Sequence, residues 1–199
     1  MIYPPLHDLP PRTGAPFLPL NDSVAAPSVF TGIFSAAECD RIMELGTRAP
    51  QFAGRMTYAQ HDRIKTRVAW LAVRSETQWL YEKLWRILTS VNRWYAFALA
   101  GMVDELQFTT YRTGDRIDWH LDTGTGQTST RKLSLTVQLS DGNDYRGGNL
   151  EFAGRADLDD ARGRGTVIFF PSFLAHRVTP VTSGSRFSLV AWAHGSPFT

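Results

Sequence analysis

The sequence predicts an α+β protein whose strands form a double-stranded β-helix, or jelly roll, with N-terminal flanking helices. Two observations lead to this fold class. Apolar residues recur at helical spacing in the first half of the chain, and after about Asp104 the pattern changes to period two. Helices followed by many short strands are typical of α+β proteins whose strands close into a sandwich or barrel.

The domain organisation is expected to be simple. A chain of 199 residues is long enough for one domain with one sizeable core, and it contains no repeat or low-complexity linker. Residues 1–30 are expected to form a Pro-rich arm. Residues 31–199 are expected to form the single domain, with helical support over 31–100 and the jelly-roll core over 104–193.

The first helix is marked at its start by a capping box, in which Ser35 is followed three residues later by Glu38. Gly46 is predicted to end it, because glycine is common just past the last turn of a helix. Apolar residues lie at helical spacing between these two signals: Cys39, Ile42 and Met43.

The second helix is predicted to begin at another capping box, formed by Ser75 and Gln78. Its apolar stripe is expected to lie against the core, and both helices are expected to serve as scaffold. The stripe is formed by Leu80, Leu84, Ile87, Leu88 and Val91.

The strands are predicted from short β-rich runs that are separated by Gly, Asp and Asn turns. One connection, DGNDYRGG, consists largely of turn-forming residues. The runs are, in chain order, LQFTTY, RKLSLTVQLS, GGNLEF, GTVIFF and RFSLVAW.

The composition argues against several classes of protein, including nucleic-acid-binding, disulfide-containing and membrane-spanning proteins. The net charge of +2 is too small to indicate nucleic-acid binding, and the arginines are spread along the chain. The single cysteine, Cys39, excludes an internal disulfide and a Cys-based metal cluster, so a reducing cytoplasm is the expected location. No apolar stretch is long enough to span a membrane, and the N-terminus lacks the features of a secretory signal. The oligomeric state stays open.

The short motif DWHLD raises the possibility of a metal site. His120 and Asp122 are two residues apart, so on a strand both would project from the same face. Surface His and Asp are common, and an isolated pair at this spacing is usually accidental. A third ligand would have to come from elsewhere in the chain.

His176 is the best-placed third ligand, because it follows an apolar strand-like run and begins another apparent strand. His7 lies in the Pro-rich arm, His61 in a polar segment, and His194 after the last predicted strand. Two histidines and one carboxylate form the facial triad that leaves positions open on non-haem Fe(II). A satisfied histidine at a strand end is the alternative for His176.

A buried positive charge is predicted ten residues after His176. Arg186 and Ser188 share one face of the last strand with Val190 and Trp192. An arginine on the inner face of a barrel is costly unless an anion meets it, and its fork matches a carboxylate. A surface-facing arginine is the alternative, although the same face then carries a valine and a tryptophan.

Together these residues resemble the signature of the Fe(II)/2-oxoglutarate-dependent dioxygenases. The surrounding sequence is similar to the prolyl-4-hydroxylase-like branch and its bacterial PKHD-type members. The resemblance covers about residues 30 to 193. It is carried by FTGIFSAAECDRIMELG, TYRTGDRIDWHLD, RKLSLTVQLS, DYRGGNLEF and FFPSFLAHRVTPVTSGSRFSLVAW.

The resemblance implies a role for each matched residue. His120, Asp122 and His176 would hold Fe(II). Arg186 would bind the distal carboxylate of the co-substrate 2-oxoglutarate, with Ser188 and Tyr111 assisting; an ordinary half-buried strand tyrosine is the alternative for Tyr111. The chemistry implied is hydroxylation of a small molecule or peptide with O2, and ascorbate is a candidate reductant.

One position departs from the family pattern, and another supports the chemistry. Ile117 stands where related sequences often carry a second aromatic residue, so the way the co-substrate is held is not carried over in detail. Asp122 is present, whereas the related halogenases have a small residue there to admit chloride. Hydroxylation is therefore the implied reaction.

Segments around the predicted barrel mouth are candidates for substrate contact. Gln51–Arg67 is a candidate lid and Gly124–Thr130 a candidate flap, with ordinary exposed loops as the alternative. Trp70, Trp119 and Trp192 would line a pocket or would simply belong to the core.

Two other function classes remain open. A non-catalytic metal-binding cupin-like module would not need Arg186 or Ser188. A nucleic-acid demethylase of the same superfamily usually carries a basic surface and a second arginine, where this chain has Ala191 and Trp192. The dioxygenase interpretation is therefore preferred.

Overall fold

The computed structural model describes residues 22–54, 64–155, 158 and 161–197. Within these ranges lie two helices, α1 (Ala36–Arg48) and α2 (Gln78–Tyr95), and short 3-10 helices at Asp22–Ala25 and Gly126–Thr130. The strands are β1 (Ser28–Phe30), β2 (Phe52–Ala53), β3 (Ile64–Lys65), β4 (Arg67–Leu71), β5 (Leu99–Gly101), β6 (Leu106–Arg112), β7 (Arg116–His120), β8 (Arg131–Gln138), β9 (Tyr145–Gly147), β10 (Leu150–Phe152), β11 (Val167–Pro171), β12 (His176–Val178) and β13 (Val181–Gly195).

The strands form two antiparallel sheets that pack against each other. The large sheet has the order β1-β11-β8-β13-β6-β4-β2, with β5 and β9 also pairing with β13. The small sheet has the order β10-β12-β7-β3. Apolar contacts join them, since Tyr111 of the large sheet packs with Val178 of the small one, and Phe170 packs with Phe152. This architecture agrees with the predicted jelly roll.

The two faces of the large sheet differ in chemistry, as alternation along each strand requires. The outer face is apolar and packs on α1 and α2. The inner face, turned toward the small sheet, is rich in polar side chains. Inner-face members from the three central strands are Thr109, Tyr111, Ser134, Thr136, Gln138, Arg186 and Ser188.

β13 is the central strand of the large sheet. It is 15 residues long and pairs with β6 through residues 185–190 and with β8 through residues 188–194. Because it has a neighbour on both sides, its inner-facing side chains lie in the middle of the barrel. This position explains why Arg186 is 2% exposed although it is charged.

The first helix begins as predicted and ends later than predicted. Ser35 and Glu38 form both hydrogen bonds of the capping box. The prediction that Gly46 ends the helix is wrong, because α1 continues to Arg48. Gly46 instead allows close packing: a Cβ at this position would lie 2.2 Å from Cγ of Phe108.

The second helix has the predicted apolar stripe but not the predicted start. Leu80, Leu84, Leu88 and Val91 are buried, and Ile87 packs partly buried against them. The capping box at Ser75 is wrong, because α2 begins at Gln78 and Ser75 lies in the preceding turn.

Thr77 organises that turn. Its hydroxyl accepts a hydrogen bond from the Arg74 backbone N–H (2.8 Å) and donates one to the Ala72 carbonyl (2.6 Å). This hydroxyl therefore stabilises the chain reversal before α2 and caps no helical N–H group.

The first half of the chain also contributes strands that the sequence pattern did not predict. β4 joins the large sheet beside β6, and β1 pairs with β11. β1 lies within the predicted arm 1–30, so its last residues belong to the sheet; residues 1–21 lie outside the described part. The five predicted β-rich runs correspond to β6, β8, β10, β11 and β13. Among the described helices, none has the length and hydropathy needed to cross a membrane.

Candidate active site

The pairing of β7 with β12 brings two histidines together. His120 is the last residue of β7, His176 is the first of β12, and the two are direct partners in the small sheet. The prediction that Asp122 shares a strand with His120 is wrong, because β7 ends at His120 and Asp122 lies two residues beyond it. The N–H of Asp122 instead donates to the Ser172 carbonyl at 2.9 Å. One ligand-type atom from each of the three side chains lies within 4.8 Å of the others.

These three side chains surround a space and do not bond to one another. Nε2 of His120 lies 3.7 Å from Oδ1 of Asp122, and Nε2 of His176 lies 3.8 Å from Oδ2. Both separations are too long for hydrogen bonds. Oδ2 of Asp122 is buried and has no hydrogen-bond partner among the described residues. The nitrogen and oxygen atoms of this cluster therefore form a set of ligand atoms that fits a metal ion.

The two imidazoles are oriented by backbone carbonyls. Nδ1 of His120 lies 2.9 Å from the carbonyl oxygen of Asp118, and Nδ1 of His176 lies 2.9 Å from that of Leu174. A carbonyl oxygen can only accept a hydrogen bond, so each Nδ1 carries the proton. Each Nε2 then carries no proton and, at 3.7 and 3.8 Å from the carboxylate oxygens of Asp122, can act as a metal ligand.

Burial and charge favour the protonation states that bind metals. Burial lowers the pKa of His176 to about 4, and Phe170 packs against its ring at 4.6 Å between centroids. Burial alone would raise the pKa of Asp122, but the imidazoles of His176 and His120 hold that pKa below its usual value. At neutral pH the site thus combines a neutral His176 with an ionised Asp122.

A second cluster of buried polar groups lies deeper on the inner face. Nε and Nη1 of Arg186 and Oγ of Ser188 have no hydrogen-bond partner among the described residues. Tyr111 is directly opposite Arg186 in the sheet, and the guanidinium lies 4.9 Å from its ring centroid. Burial raises the pKa of Tyr111, so the phenol stays protonated and available as a donor. Unpaired buried donors of this kind indicate an anionic ligand.

The second glycine of the DYRGG segment, Gly148, leaves room for the Arg186 side chain. Gly148 has a φ of +62°, and a Cβ there would lie 3.3 Å from Cδ of Arg186 and 2.9 Å from Cγ2 of Val181. A side chain at this position would press on the arginine. The segment therefore shapes the anion cluster, a role that the turn prediction did not include.

The three tryptophans separate into two environments. Trp192 is 4% exposed on the inner face, and its Nε1 has no hydrogen-bond partner among the described residues. Trp70 lies beside it, with 6.4 Å between ring centroids. Trp119 is 38% exposed and stacks with Arg177 on the outer face of the small sheet. Trp192 is therefore the tryptophan placed to line the site.

Comparison with known proteins agrees with this arrangement. A family model described as the 2OG-Fe(II) oxygenase superfamily matches residues 106–194, which include both clusters. A PKHD-type hydroxylase of Synechococcus elongatus is 31% identical over 169 residues, covering 80% of this chain and 74% of that protein. The chain belongs to the PKHD-type hydroxylases of this superfamily. The resemblance inferred from the sequence is confirmed.

Other PKHD-type relatives match over a shorter range. One from Synechococcus sp. (strain CC9605) is 36% identical over 107 residues, which is 53% of this chain and 48% of that protein. The chain therefore spans about half the length of that relative.

Solved structures confirm the fold class of this PKHD-type chain. A Pseudomonas putida prolyl-4-hydroxylase has a TM-score of 0.66 at 20% identity and covers 88% of this chain and 96% of its own. A Trichoplax adhaerens prolyl hydroxylase, solved with a peptide fragment of hypoxia inducible factor, has a TM-score of 0.69 at 15% identity. It covers 84% of this chain and 83% of its own.

Sequence reasoning missed several residues near the site of this PKHD-type chain. Asp104 accepts hydrogen bonds from His194 (2.9 Å) and Arg131 (2.8 Å), which explains why His194 does not join the metal-type cluster. Burial would raise the pKa of Asp104, but these two partners hold it below its usual value. No local pattern marks these residues, because their partners are distant in sequence.

The structure describes only part of the proposed lid but all of the proposed flap. Residues 55–63 of the proposed lid Gln51–Arg67 lie outside the described part, and its flanks form β2 and β3. The proposed flap Gly124–Thr130 contains the 3-10 helix Gly126–Thr130, where the Thr123 hydroxyl donates to the Thr128 carbonyl at 3.2 Å. Its role as a flap stays a prediction.

Proposed function

We propose that the chain is a non-haem Fe(II)- and 2-oxoglutarate-dependent dioxygenase. It would hydroxylate an unactivated C–H bond of an amino acid, a peptide or protein side chain, or a small metabolite. One oxygen atom of O2 enters the product hydroxyl and the other enters succinate, while 2-oxoglutarate loses CO2. The supporting observation is that the His-Asp-His donor set and a buried guanidinium, two of whose nitrogens have no partner among the described residues, face the same barrel interior.

The iron would be held by His120, Asp122 and His176. When bound, Fe(II) supplies the electrons that activate O2. The protein's own part is to hold three donors on one side, which leaves the remaining positions free for co-substrate and O2. The ring of Phe170 packs beside His176 and makes this side of the site apolar.

The co-substrate would be oriented by the deeper cluster. The fork of Arg186 suits the distal carboxylate of 2-oxoglutarate, and the hydroxyls of Ser188 and Tyr111 can each add a donor. A carboxylate there would satisfy the buried donors that lack a partner. This requirement for an anion favours the dioxygenase over the cupin-like module, which has no need for one.

The substrate is proposed at the level of chemical class only. The chain has structural neighbours that are prolyl hydroxylases, and one of them was solved with a peptide fragment. Peptides therefore join free amino acids among the substrates to be tested. No general acid or base is required for the C–H bond, because hydroxylation of this kind removes a hydrogen atom and not a proton.

The test is an assay of succinate formation. Purified protein is incubated with Fe(II), ascorbate and 2-oxoglutarate, with and without candidate amino acids, peptides and methylated oligonucleotides. We expect succinate release that rises with the true substrate, which gains one oxygen atom by mass spectrometry. Succinate absent under every condition would favour the cupin-like binding module, and release driven only by the oligonucleotides would favour the demethylase.

A further inference from the structure

We propose that Arg131 is a positioning residue for the metal site, because it fixes the main chain of Asp122. Asp104 and His194 in turn fix Arg131. The inference rests on the proposed function, since it gives a purpose to residues around the proposed iron ligand. These residues would hold the metal-ligating side chain of Asp122 in place.

Arg131 is held on three sides. Its Nη1 donates to the Asp122 carbonyl at 3.3 Å, and its Nε donates to Oδ2 of Asp104 at 2.8 Å. Its Cζ lies 3.7 Å from the ring centroid of Trp192. A guanidinium is planar and rigid, so contacts at both edges and on one face leave it a single orientation. The carbonyl of Asp122 is fixed with it.

Asp104 is fixed by a second partner. His194 Nε2 lies 2.9 Å from the same Oδ2 that Arg131 binds, and His194 Nδ1 lies 2.9 Å from the Thr130 hydroxyl. Both side chains of this pair are largely buried, with exposed fractions of 5% for His194 and 19% for Asp104. Direct contacts between protein groups therefore link His194, near the end of β13, to the main chain of Asp122 through Asp104 and Arg131.

Asp122 needs such support more than the two histidines do. His120 and His176 lie on paired strands and are held by the sheet itself. Asp122 lies beyond the end of β7, where its N–H donates to Ser172 and its carbonyl accepts from Arg131. Loss of the Arg131 contact would leave the Asp122 carbonyl without its side-chain partner, and that peptide unit would be held only by the Thr123 N–H, which donates to the Ser172 carbonyl at 3.1 Å.

The decisive variant is Arg131→Lys, which keeps the charge but lacks the fork that reaches both Asp104 and Asp122. Metal affinity is measured with Mn(II) alone, without O2 or 2-oxoglutarate, from the electron paramagnetic resonance signal of the free ion. We expect affinity to fall about 10–100-fold, the usual effect of losing a partner that orients a metal ligand. The far-UV circular dichroism should match that of the wild type.

Arg177→Lys is a matched control. Arg177 also binds a carboxylate, Glu151, at 2.7 Å, and it also stacks with a tryptophan, Trp119, at 4.8 Å. These contacts lie on the outer face of the small sheet, away from Asp122. We expect Mn(II) affinity within about twofold of the wild type for this variant, because no contact to a ligand's main chain is lost.

A spectroscopic measurement separates positioning from stability. Co(II) at saturation reports ligand geometry through its visible absorption, so the Arg131→Lys spectrum should differ from the wild type while the Arg177→Lys spectrum does not. Asp104→Asn, which keeps the shape but removes the charge, should show a smaller change in the same direction. It decides the question if Arg131→Lys fails to fold.

The outcomes distinguish the two proposals. If the wild type binds neither Mn(II) nor Co(II), the proposed function fails. If the wild type binds them, and Arg131→Lys and Asp104→Asn match it in affinity and spectrum, only the positioning role is overturned.

Discussion

Several residues at this site bury polar atoms that would form hydrogen bonds with water if they were exposed. Oδ2 of Asp122, two nitrogens of Arg186 and the hydroxyl of Ser188 are buried without partners among the described residues. An unpaired polar group of this kind typically costs about 1–3 kcal/mol, and more when it is charged. In the barrel interior several such groups lie close together, and bound ligands would remove this cost.

Loss of a proposed iron ligand should abolish turnover without unfolding the chain. Asp122→Ala removes the carboxylate of the donor set and relieves an unpaired buried oxygen, so the fold should survive. We expect succinate formation to fall by at least about 100-fold, with unchanged circular dichroism. Asp118→Ala is the matched control, because this carboxylate lies two residues before His120 and only its backbone carbonyl contacts the imidazole. Full activity in Asp122→Ala would contradict the ligand assignment.

The co-substrate contact can be separated from the metal contact. Arg186→Ala would remove the proposed charge-assisted pair to the co-substrate carboxylate, and such pairs are worth about 1.5–3 kcal/mol per hydrogen bond. We expect the 2-oxoglutarate concentration for half-maximal rate to rise about 10–100-fold, with Mn(II) affinity unchanged. Arg112→Ala, an exposed arginine on the adjacent strand, should behave as the wild type. An unchanged requirement for 2-oxoglutarate would remove Arg186 from its proposed role.

At the scale of elements, the two helix starts show how one motif can be present in sequence and absent in structure. Ser35 caps α1 through both bonds of the box, while Ser75 lies in a turn organised by Thr77. Ser35→Ala should therefore lower the free energy of unfolding by about 1 kcal/mol. Ser75→Ala should change it by less than about 0.5 kcal/mol. Urea unfolding of both variants checks this, and equal losses would contradict the assigned caps.

The contact between α1 and β6 depends on a missing side chain. Gly46→Ala would place a methyl group against the ring of Phe108, where a Cβ would lie 2.2 Å away. Although alanine favours helices, overpacking should dominate and destabilise the protein by about 1–3 kcal/mol in urea unfolding. Gly101→Ala, which meets nothing within 4 Å, is the control and should leave stability almost unchanged. A gain in stability for Gly46→Ala would show that the helix can shift.

Strands with a clear alternation of apolar and polar residues were predictable from the sequence, and very short strands were not. β8 and β13 alternate clearly because one face packs on helices and the other faces the barrel interior. β2 and β3 have two residues each, which is too few for a period to be seen. The residues around Asp122 were missed for another reason. Arg131 and His194 reach Asp104 across 27 and 90 residues of sequence, so only the folded chain brings them together.

At the scale of the whole molecule, the two sheets divide the site between them. The small sheet carries both histidines, and the large sheet carries Arg186, Ser188 and Tyr111. A metal ion and its co-substrate together would therefore bridge the sheets. The free energy of unfolding of the barrel is therefore expected to depend on whether the metal ion and the co-substrate are bound.

Ligand-dependent melting tests this dependence. At free concentrations 100 times its dissociation constant, a ligand stabilises the native state by about 2.7 kcal/mol, or about 5–10 °C for a chain of this size. We expect Mn(II) to raise the melting temperature and 2-oxoglutarate to add a second increment. Arg186→Ala should keep the first and lose most of the second. Equal second increments in both proteins would contradict a carboxylate site at Arg186.

The central position of β13 also affects the order in which the protein acquires its structure. β6 and β8 precede β13 in the chain, but they flank it in the sheet and are joined through it. During synthesis most of the large sheet would therefore emerge as two parts that can be joined only after β13 has emerged. Such long-range pairing slows folding and gives chaperones time to bind. The strand that carries Arg186 would complete the sheet and the active site in the same late step.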